Sequence, residues 1–234
     1  MADQVWFFAD PLCPWCYQTS RWMRRLADLG EVDIHWGVFS LELNGYLNRA
    51  DGTTRDPVRF EPGRARSAAA LRTMVHLRAT EGDAAVGAFY WALTDRYFHD
   101  LADLADPAVI AGALEAAGLA ATRADEAQAD PATWDAVRDE HLALVASTKA
   151  FGVPTIRLDA ADGPAMFGPV IANPPADDDG TRELWTHTRW FIRNPNVTEL
   201  KRGERVLQPD LAYWRKWLAD RAAERAALAA TEKG

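Results

Sequence analysis

Apolar and polar residues trade places along this chain with two periods, and the order in which those periods alternate outlines a fold. Val5-Trp6-Phe7-Phe8-Ala9 is a short apolar run of the kind that forms a buried strand. Cys13-Pro14-Trp15-Cys16 follows, and from Pro14 to Leu29 the residues Cys16, Thr19, Met23, Leu26 and Ala27 recur at helical spacing, with Gly30 placed to end the helix. Val32, Ile34, Trp36 and Val38 then alternate with Asp33, His35 and Gly37, the period-two signature of a second strand. His35 falls on the other side of that alternation and reads as a solvated or hydrogen-bonded surface residue.

From Asn44 to Gly63 the periodicity fades into a polar stretch rich in Gly, Asp, Arg and Pro, which reads as a long loop leaving the strand beside the CxxC. Asn44, at its start, reads as a turn residue or a ligand contact. Helical patterning takes over in two blocks. Arg64 to Thr80 sets Ala68, Leu71, Met74 and Val75 on one face, and Asp83 to Phe98 does so with Val86, Phe89, Tyr90, Leu93 and Tyr97. Asp106-Pro107 and Asp130-Pro131 each put an N-cap acid before a first-turn proline and start helices that run to about Leu119 and Ala150. The second carries Trp134, Val137, His141, Leu144, Val145 and Thr148 inward.

Strand patterning returns at Val153-Pro154-Thr155 with Ile156 and Leu158, and a turn from Asp159 to Pro164 leads to Met166 and Phe167, as in a hairpin. Asp177, Asp178 and Asp179 suit a helix N-terminus and introduce Leu184, Trp185, Thr188 and Phe191 on one face, until Asn194-Pro195 stops the helix. From Asp210 to Ala230 a last amphipathic stretch repeats Leu211, Trp214, Trp217, Leu218, Arg221 and Leu228 at helical intervals. Its stripe must dock on its own domain or on a partner subunit, so a homodimer is compatible with the pattern. The expectation is an α/β fold in which one sheet is split by a large all-helical insertion. Residues 1–52 and 151–208 form the discontinuous sheet domain, 53–150 the insertion, and 209–234 an extra C-terminal helix.

Composition narrows the function. The 234 residues are 48% hydrophobic, enough for a real core, and carry a net charge of −8, which repels phosphate backbones and anionic membrane surfaces. Nucleic acid and membrane partners are therefore not expected. No run approaches the ~20 apolar residues of a membrane span, and nothing before Val5 looks like a signal peptide, so a cytoplasmic location is the expectation. The only two cysteines are those of the CxxC, and in a reducing compartment such a pair is catalytic more often than structural. The ten tryptophans read mainly as core, with some able to line a ligand cleft.

A thiol in the first turn of a helix sits beside unpaired N–H groups and the positive end of the helix dipole, and both favour thiolate. Cys13 is thus the candidate nucleophile. Cys16, one turn on, is placed to attack a mixed disulfide on Cys13, and Pro14 costs nothing at a position whose N–H has no partner. CxxC is also a zinc half-site, but further ligands would have to come from five scattered histidines lacking ligand spacing, so no metal is assigned. Arg55, Arg59, Arg64 and Arg66 read as a solvated basic rim or an anion lure. The acidic triplet reads as dipole compensation.

The order of strand, CxxC-helix, strand, helical insertion, Val-Pro-Thr strand, hairpin and helix resembles the DsbA-type branch of the thioredoxin-like superfamily, up to about Gln208. Asp10-Pro11-Leu12-Cys13-Pro14-Trp15-Cys16 with Thr19-Ser20-Arg21-Trp22, Phe167-Gly168-Pro169-Val170, and Glu199-Leu200-Lys201-Arg202 are similar to the mycothiol-dependent nitroreductases and disulfide reductases of actinobacteria. The resemblance implies that Pro154 is cis and packs against the CxxC, leaving Val153 backbone groups to pair with a bound thiol or peptide. It also implies that Pro14, Trp15 and Asn44 border the substrate and that the insertion is a redox-responsive lid. Electrons would come from mycothiol, with no tightly bound cofactor. Two departures stand out: Tyr17 occupies a place where Trp is expected, and the C-terminal helix lies outside the pattern. The expected activity is thiol-disulfide oxidoreduction of disulfides or electrophilic small molecules such as nitroaromatics. The rival readings are a kappa-type glutathione transferase or isomerase, which uses serine for the first cysteine and has no need of Cys16, and a non-catalytic binding or chaperone module.

Overall fold

A computed structural model describes residues 1–48, 53, 55–149, 152–203 and 207–231, with side chains described as far as Arg225. Strands β1 (Asp3–Ala9) and β2 (Val32–Val38) run parallel in register Asp3 opposite Val32, joined by helix α1 (Pro14–Asp28). β3 (Thr155–Leu158) pairs antiparallel with β1, and β4 (Ala165–Phe167) antiparallel with β3, giving the order β2-β1-β3-β4. Between β2 and β3 lie α2 (Leu41–Leu47), α3 (Ala68–Thr80), α4 (Asp83–His99), α5 (Pro107–Ala116), α6 (Thr122–Ala129) and α7 (Ala132–Thr148); α8 (Asp178–Arg193) and α9 (Ala212–Thr231) follow the sheet. This is a thioredoxin-like α/β fold carrying a helical insertion and an additional C-terminal helix.

Local chemistry explains the elements that hold the site. Helix α1 ends where Gly30, at φ +71°, turns left-handed, so that its N–H reaches Ala27 O and the Glu31 N–H reaches Leu26 O. Cross-strand pairing puts Trp6, Phe8, His35 and Arg157 on one face of the sheet, where Arg157 donates to Ser147 of α7. Asp3 and Phe7 lie on the other, where α8 contributes Trp185, Arg189 and Arg193 as donors to the Asp3 carboxylate. Trp22 of α1 and Trp185 are fully buried edge to face at 6.0 Å and seal the seam between their helices. Truncating either to alanine removes about 3–5 kcal/mol. Gly37 faces the Phe8 ring so closely that an added Cβ would stand 2.2 Å from it.

The outer edge of β2 is closed by side chains. Asp83 accepts the Trp36 N–H at 2.8 Å and Glu140 accepts the Val38 N–H at 2.9 Å. Arg78, paired with Glu140, donates to the Trp36 carbonyl. His35, half-buried, stacks on Trp6 and bonds Asp83 and Gln4, in keeping with its place on the polar side of the alternation.

The long loop expected from Asn44 to Gly63 needs correcting. Its first residues are the end of helix α2, capped by Ser40 Oγ on the Leu43 N–H, and two 3₁₀ turns, Pro57–Arg59 and Pro62–Arg64, shape the rest of the described part. Asn44 is accordingly a helical residue whose side-chain oxygen accepts from Asn48 Nδ2. Residues at the expected junctions near 52 and 151, and the side chain of Leu228, lie outside those described.

Candidate active site

The site forms where the carboxyl end of β1 meets the loop before β3. Asp10 builds the approach. It is fully buried, its Oδ1 accepts the Leu12 N–H at 2.9 Å, and its carbonyl accepts the Cys13 N–H at 2.9 Å. Its Oδ2 accepts the Leu41 N–H at 2.7 Å and the Ser67 hydroxyl at 3.3 Å, so one carboxyl ties together the strand end, α2 and the turn before α3. Burial pushes its pKa up to about 6 in spite of these donors. An Asp that bonds the amide two residues on is a recognisable turn signal, and it is the mark in the sequence by which Asp10 can be found.

Cys13 is the N-cap of α1, with φ −87° and ψ 111°, and its sulfur accepts the Cys16 N–H at 3.3 Å. Pro14 occupies the first helical position. Cys16 is completely buried one turn on, and burial together with the neighbouring Cys13 pushes its thiol pKa up. Both cysteines are free thiols. From 140 residues away in sequence, Val153 brings its carbonyl to 3.4 Å from Cys13 Sγ, and the Val153–Pro154 peptide that carries it is cis. That carbonyl, expected to await a ligand, is engaged by the cysteine itself. Pro154 is held in place by its own carbonyl, which accepts the Gly168 N–H at 2.8 Å, and the next peptide, Gly168–Pro169, is also cis. Thr19 of α1 donates to the Pro169 carbonyl at 2.9 Å, which fixes that loop to the cysteine helix.

The structure therefore joins Cys13, Pro14, Cys16, Val153 and Pro154 in one site. Trp15 stands half-buried beside them, 5.3 Å from the Trp214 ring of α9. Asn44 lies on α2, the helix whose first amide Asp10 caps. Tyr17 turns away from the sulfurs: its ring stacks on Phe98, and its hydroxyl bonds Asp95 and lies 3.0 Å from His99 Nε2, all on α4. The four arginines of the basic rim have partners: Arg55 lies over Tyr46, while Arg59, Arg64 and Arg66 pair with Asp56, Glu61 and Glu42. The acidic triplet serves the start of α8, with Asp177 capping the Gly180 N–H and Asp178 paired with Arg25. A cavity of about 520 Å³ lies on the sheet face toward α7, lined by Trp6, His35, Arg78, Glu140 and Arg157, and includes neither cysteine.

A strand, a CxxC at a helix mouth and a cis-proline loop facing the first sulfur define a thioredoxin-fold thiol-disulfide oxidoreductase. Comparison with known proteins narrows this. Residues 12–202 match the family described as mycothiol-dependent nitroreductase Rv2466c, and the chain belongs to that Rv2466c-like family. It is 36% identical over 205 residues to the uncharacterized protein Rv2286c of Mycobacterium tuberculosis, covering 84% of this chain and 80% of that one. Among solved structures, the cytosolic disulfide reductase DsbM from Pseudomonas aeruginosa is similar with a TM-score of 0.56 at 18% identity, over 80% of this chain and 99% of that one; it has also been solved with GSH. The probable DsbA oxidoreductase SCO1869 from Streptomyces coelicolor is similar with a TM-score of 0.50 at 24% identity, over 90% of this chain and 98% of that one.

Proposed function

We propose that the chain is a cytoplasmic reductase that transfers two electrons from a low-molecular-weight thiol, mycothiol, to disulfides or to electrophilic small molecules such as nitroaromatics. With a disulfide RSSR, the Cys13 sulfur attacks one sulfur, the S–S bond breaks, and the first RS⁻ leaves. Cys16 then attacks Cys13 of the mixed disulfide; its proton departs with the second RSH and a Cys13–Cys16 disulfide remains. Two molecules of mycothiol, oxidised to their own disulfide, return the pair to dithiol. Val153 turns its N–H to the bound group while its carbonyl holds Cys13, Pro154 packs beside it, Pro14 and Trp15 border it, Asn44 lies at its margin, and the helices of the insertion act as a lid.

The observation that supports this reading is the 3.4 Å contact between Cys13 Sγ and the carbonyl of Val153 in a loop whose Val153–Pro154 peptide is cis. The family match supports the choice of mycothiol. The test is a coupled assay of disulfide and nitroaromatic reduction with mycothiol, glutathione or thioredoxin as donor. Expected are a clear preference for mycothiol, loss of activity in C13S, and accumulation of a mixed disulfide on Cys13 in C16S. Undiminished turnover in C16S overturns the dithiol route and favours the transferase reading. Absence of turnover with every donor favours the binding module.

A further inference from the structure

We propose that helix α9 completes the active site, and that Trp214 and Trp15 together form an aromatic wall that selects substrates whose leaving group is a flat aromatic ring bearing a hydrogen-bond acceptor. The inference rests on Cys13 and Cys16 being the reacting pair. It goes further in assigning a substrate class and a residue outside the matched family region, which ends at 202.

Four observations carry it. The Trp15 ring, from the middle of the CxxC, meets the Trp214 ring at 5.3 Å and 64°, so the last helix touches the motif itself. Trp214 is in turn stacked on Trp217 at 5.0 Å, which presents it as part of a rigid aromatic pair. Among the described residues, the Trp214 Nε1–H is buried without a hydrogen-bond partner, a costly arrangement unless something brings it an acceptor. Finally, α9 is built into place. Leu211 ahead of it is fully buried, and Tyr213 packs on Tyr97 and Phe98 of α4. Asn173, itself bonded to Gln18 of α1, donates to the Gln208 carbonyl and accepts the Asp210 N–H. Cys13 is only 3% exposed, so a substrate has to pass the side chains around it, of which half-buried Trp15 belongs to the motif itself. A ring that parts the Trp15–Trp214 contact gains stacking on both, and an acceptor it carries then reaches the buried indole N–H.

The test uses full-length protein reduced with dithiothreitol, freed of it, and oxidised in a single turnover, so that no thiol donor enters. Each disulfide RSSR yields two RSH and the Cys13–Cys16 disulfide. The probes are 5,5′-dithiobis(2-nitrobenzoate) and bis(2-hydroxyethyl) disulfide, compared in wild type, W214A and W214F. In W214A the ratio of aromatic to aliphatic second-order rates is expected to fall about tenfold, through a raised half-saturation for the aromatic probe, the size expected for a lost ring contact and hydrogen bond. In W214F, which keeps a ring and loses the N–H, the fall is smaller but measurable. An unchanged ratio in W214F and W214A overturns the proposal, as does equal acceleration of both probes, which would make α9 a mere cover. Should W214A not fold, an unchanged ratio in W214F alone overturns it. If neither disulfide oxidises the wild-type pair, the reacting dithiol itself has failed; quenching of protein fluorescence by 4-nitrobenzoate, weaker in W214F than in wild type, then still reads the wall.

Discussion

Asp10 and His141 are buried groups whose protonation the fold shifts in opposite directions. Asp10 has its pKa raised to about 6, so the folded chain binds a proton that the unfolded chain, near 3.8, releases; its contribution to stability is full below the unfolded value and is lost as pH rises through about 6. His141 is fully buried against Phe39, accepts the Ser40 N–H through Nδ1, and has its pKa lowered by burial to about 4. Its contribution is full above the unfolded 6.5 and is lost as pH falls through about 4. Each shift corresponds to roughly 3 kcal/mol across its window. Between about pH 4 and 6 the two slopes therefore offset each other. Urea unfolding at several pH values should show that D10N makes stability rise more steeply with pH than in wild type, whereas H141F makes it fall. Parallel profiles in all three proteins would contradict the assignment.

At the scale of elements, α6 and α2 are the two described helices that the local pattern of residues does not announce. Only Ala124 and Ala127 of the eight residues of α6 are buried, too faint a stripe to register as a period. What secures it is distant: the Arg72 guanidinium of α3 donates to the carbonyls of Ala127, Gln128 and Asp130 and to the Thr133 hydroxyl. R72A should destabilise the protein by about 2–3 kcal/mol and speed amide exchange in 122–129 ahead of the rest, which hydrogen-exchange mass spectrometry reads directly. The same logic explains α2, whose first amide is capped by a carboxylate 31 residues back. Elements that carry their own signals were legible. Asp106 caps α5 as its Asp-Pro pair suggests, whereas at α7 the N-cap is Pro131 rather than Asp130, one residue later than expected, with Asp130 Oδ1 still accepting the Ala132 N–H; the alternation through Val32–Val38 is β2. The site divides in the same way. Cys13, Pro14 and Cys16 are local to one turn and could be read; the embrace of Asp10 by Leu41 and Ser67, and the meeting of Trp15 with Trp214, depend on tertiary contacts that no local pattern encodes.

For the molecule as a whole, the side chains that close the edge of β2 all come from the inserted helices: Arg78 from α3, Asp83 at the start of α4, Glu140 from α7. Removing them leaves strand amides and a carbonyl unpaired at a flank that another chain can occupy. The double variant D83A/E140A should lose about 2–4 kcal/mol of stability and gain a concentration-dependent rise in mass by analytical ultracentrifugation. A mass profile identical to wild type at every concentration would argue that the edge is protected by other means. The arrangement also has a consequence in time. On the ribosome β1 and β2 emerge early, whereas the groups that insulate one margin of this ribbon, and the β3 strand that covers the other, are encoded up to 120 residues later. At ordinary elongation rates of about 5–20 residues per second the young ribbon is bare on both sides for about 2–9 seconds, until Arg78 and Asp83 follow, an interval in which crowded polysomes making this protein are most exposed to mispairing between neighbouring nascent chains.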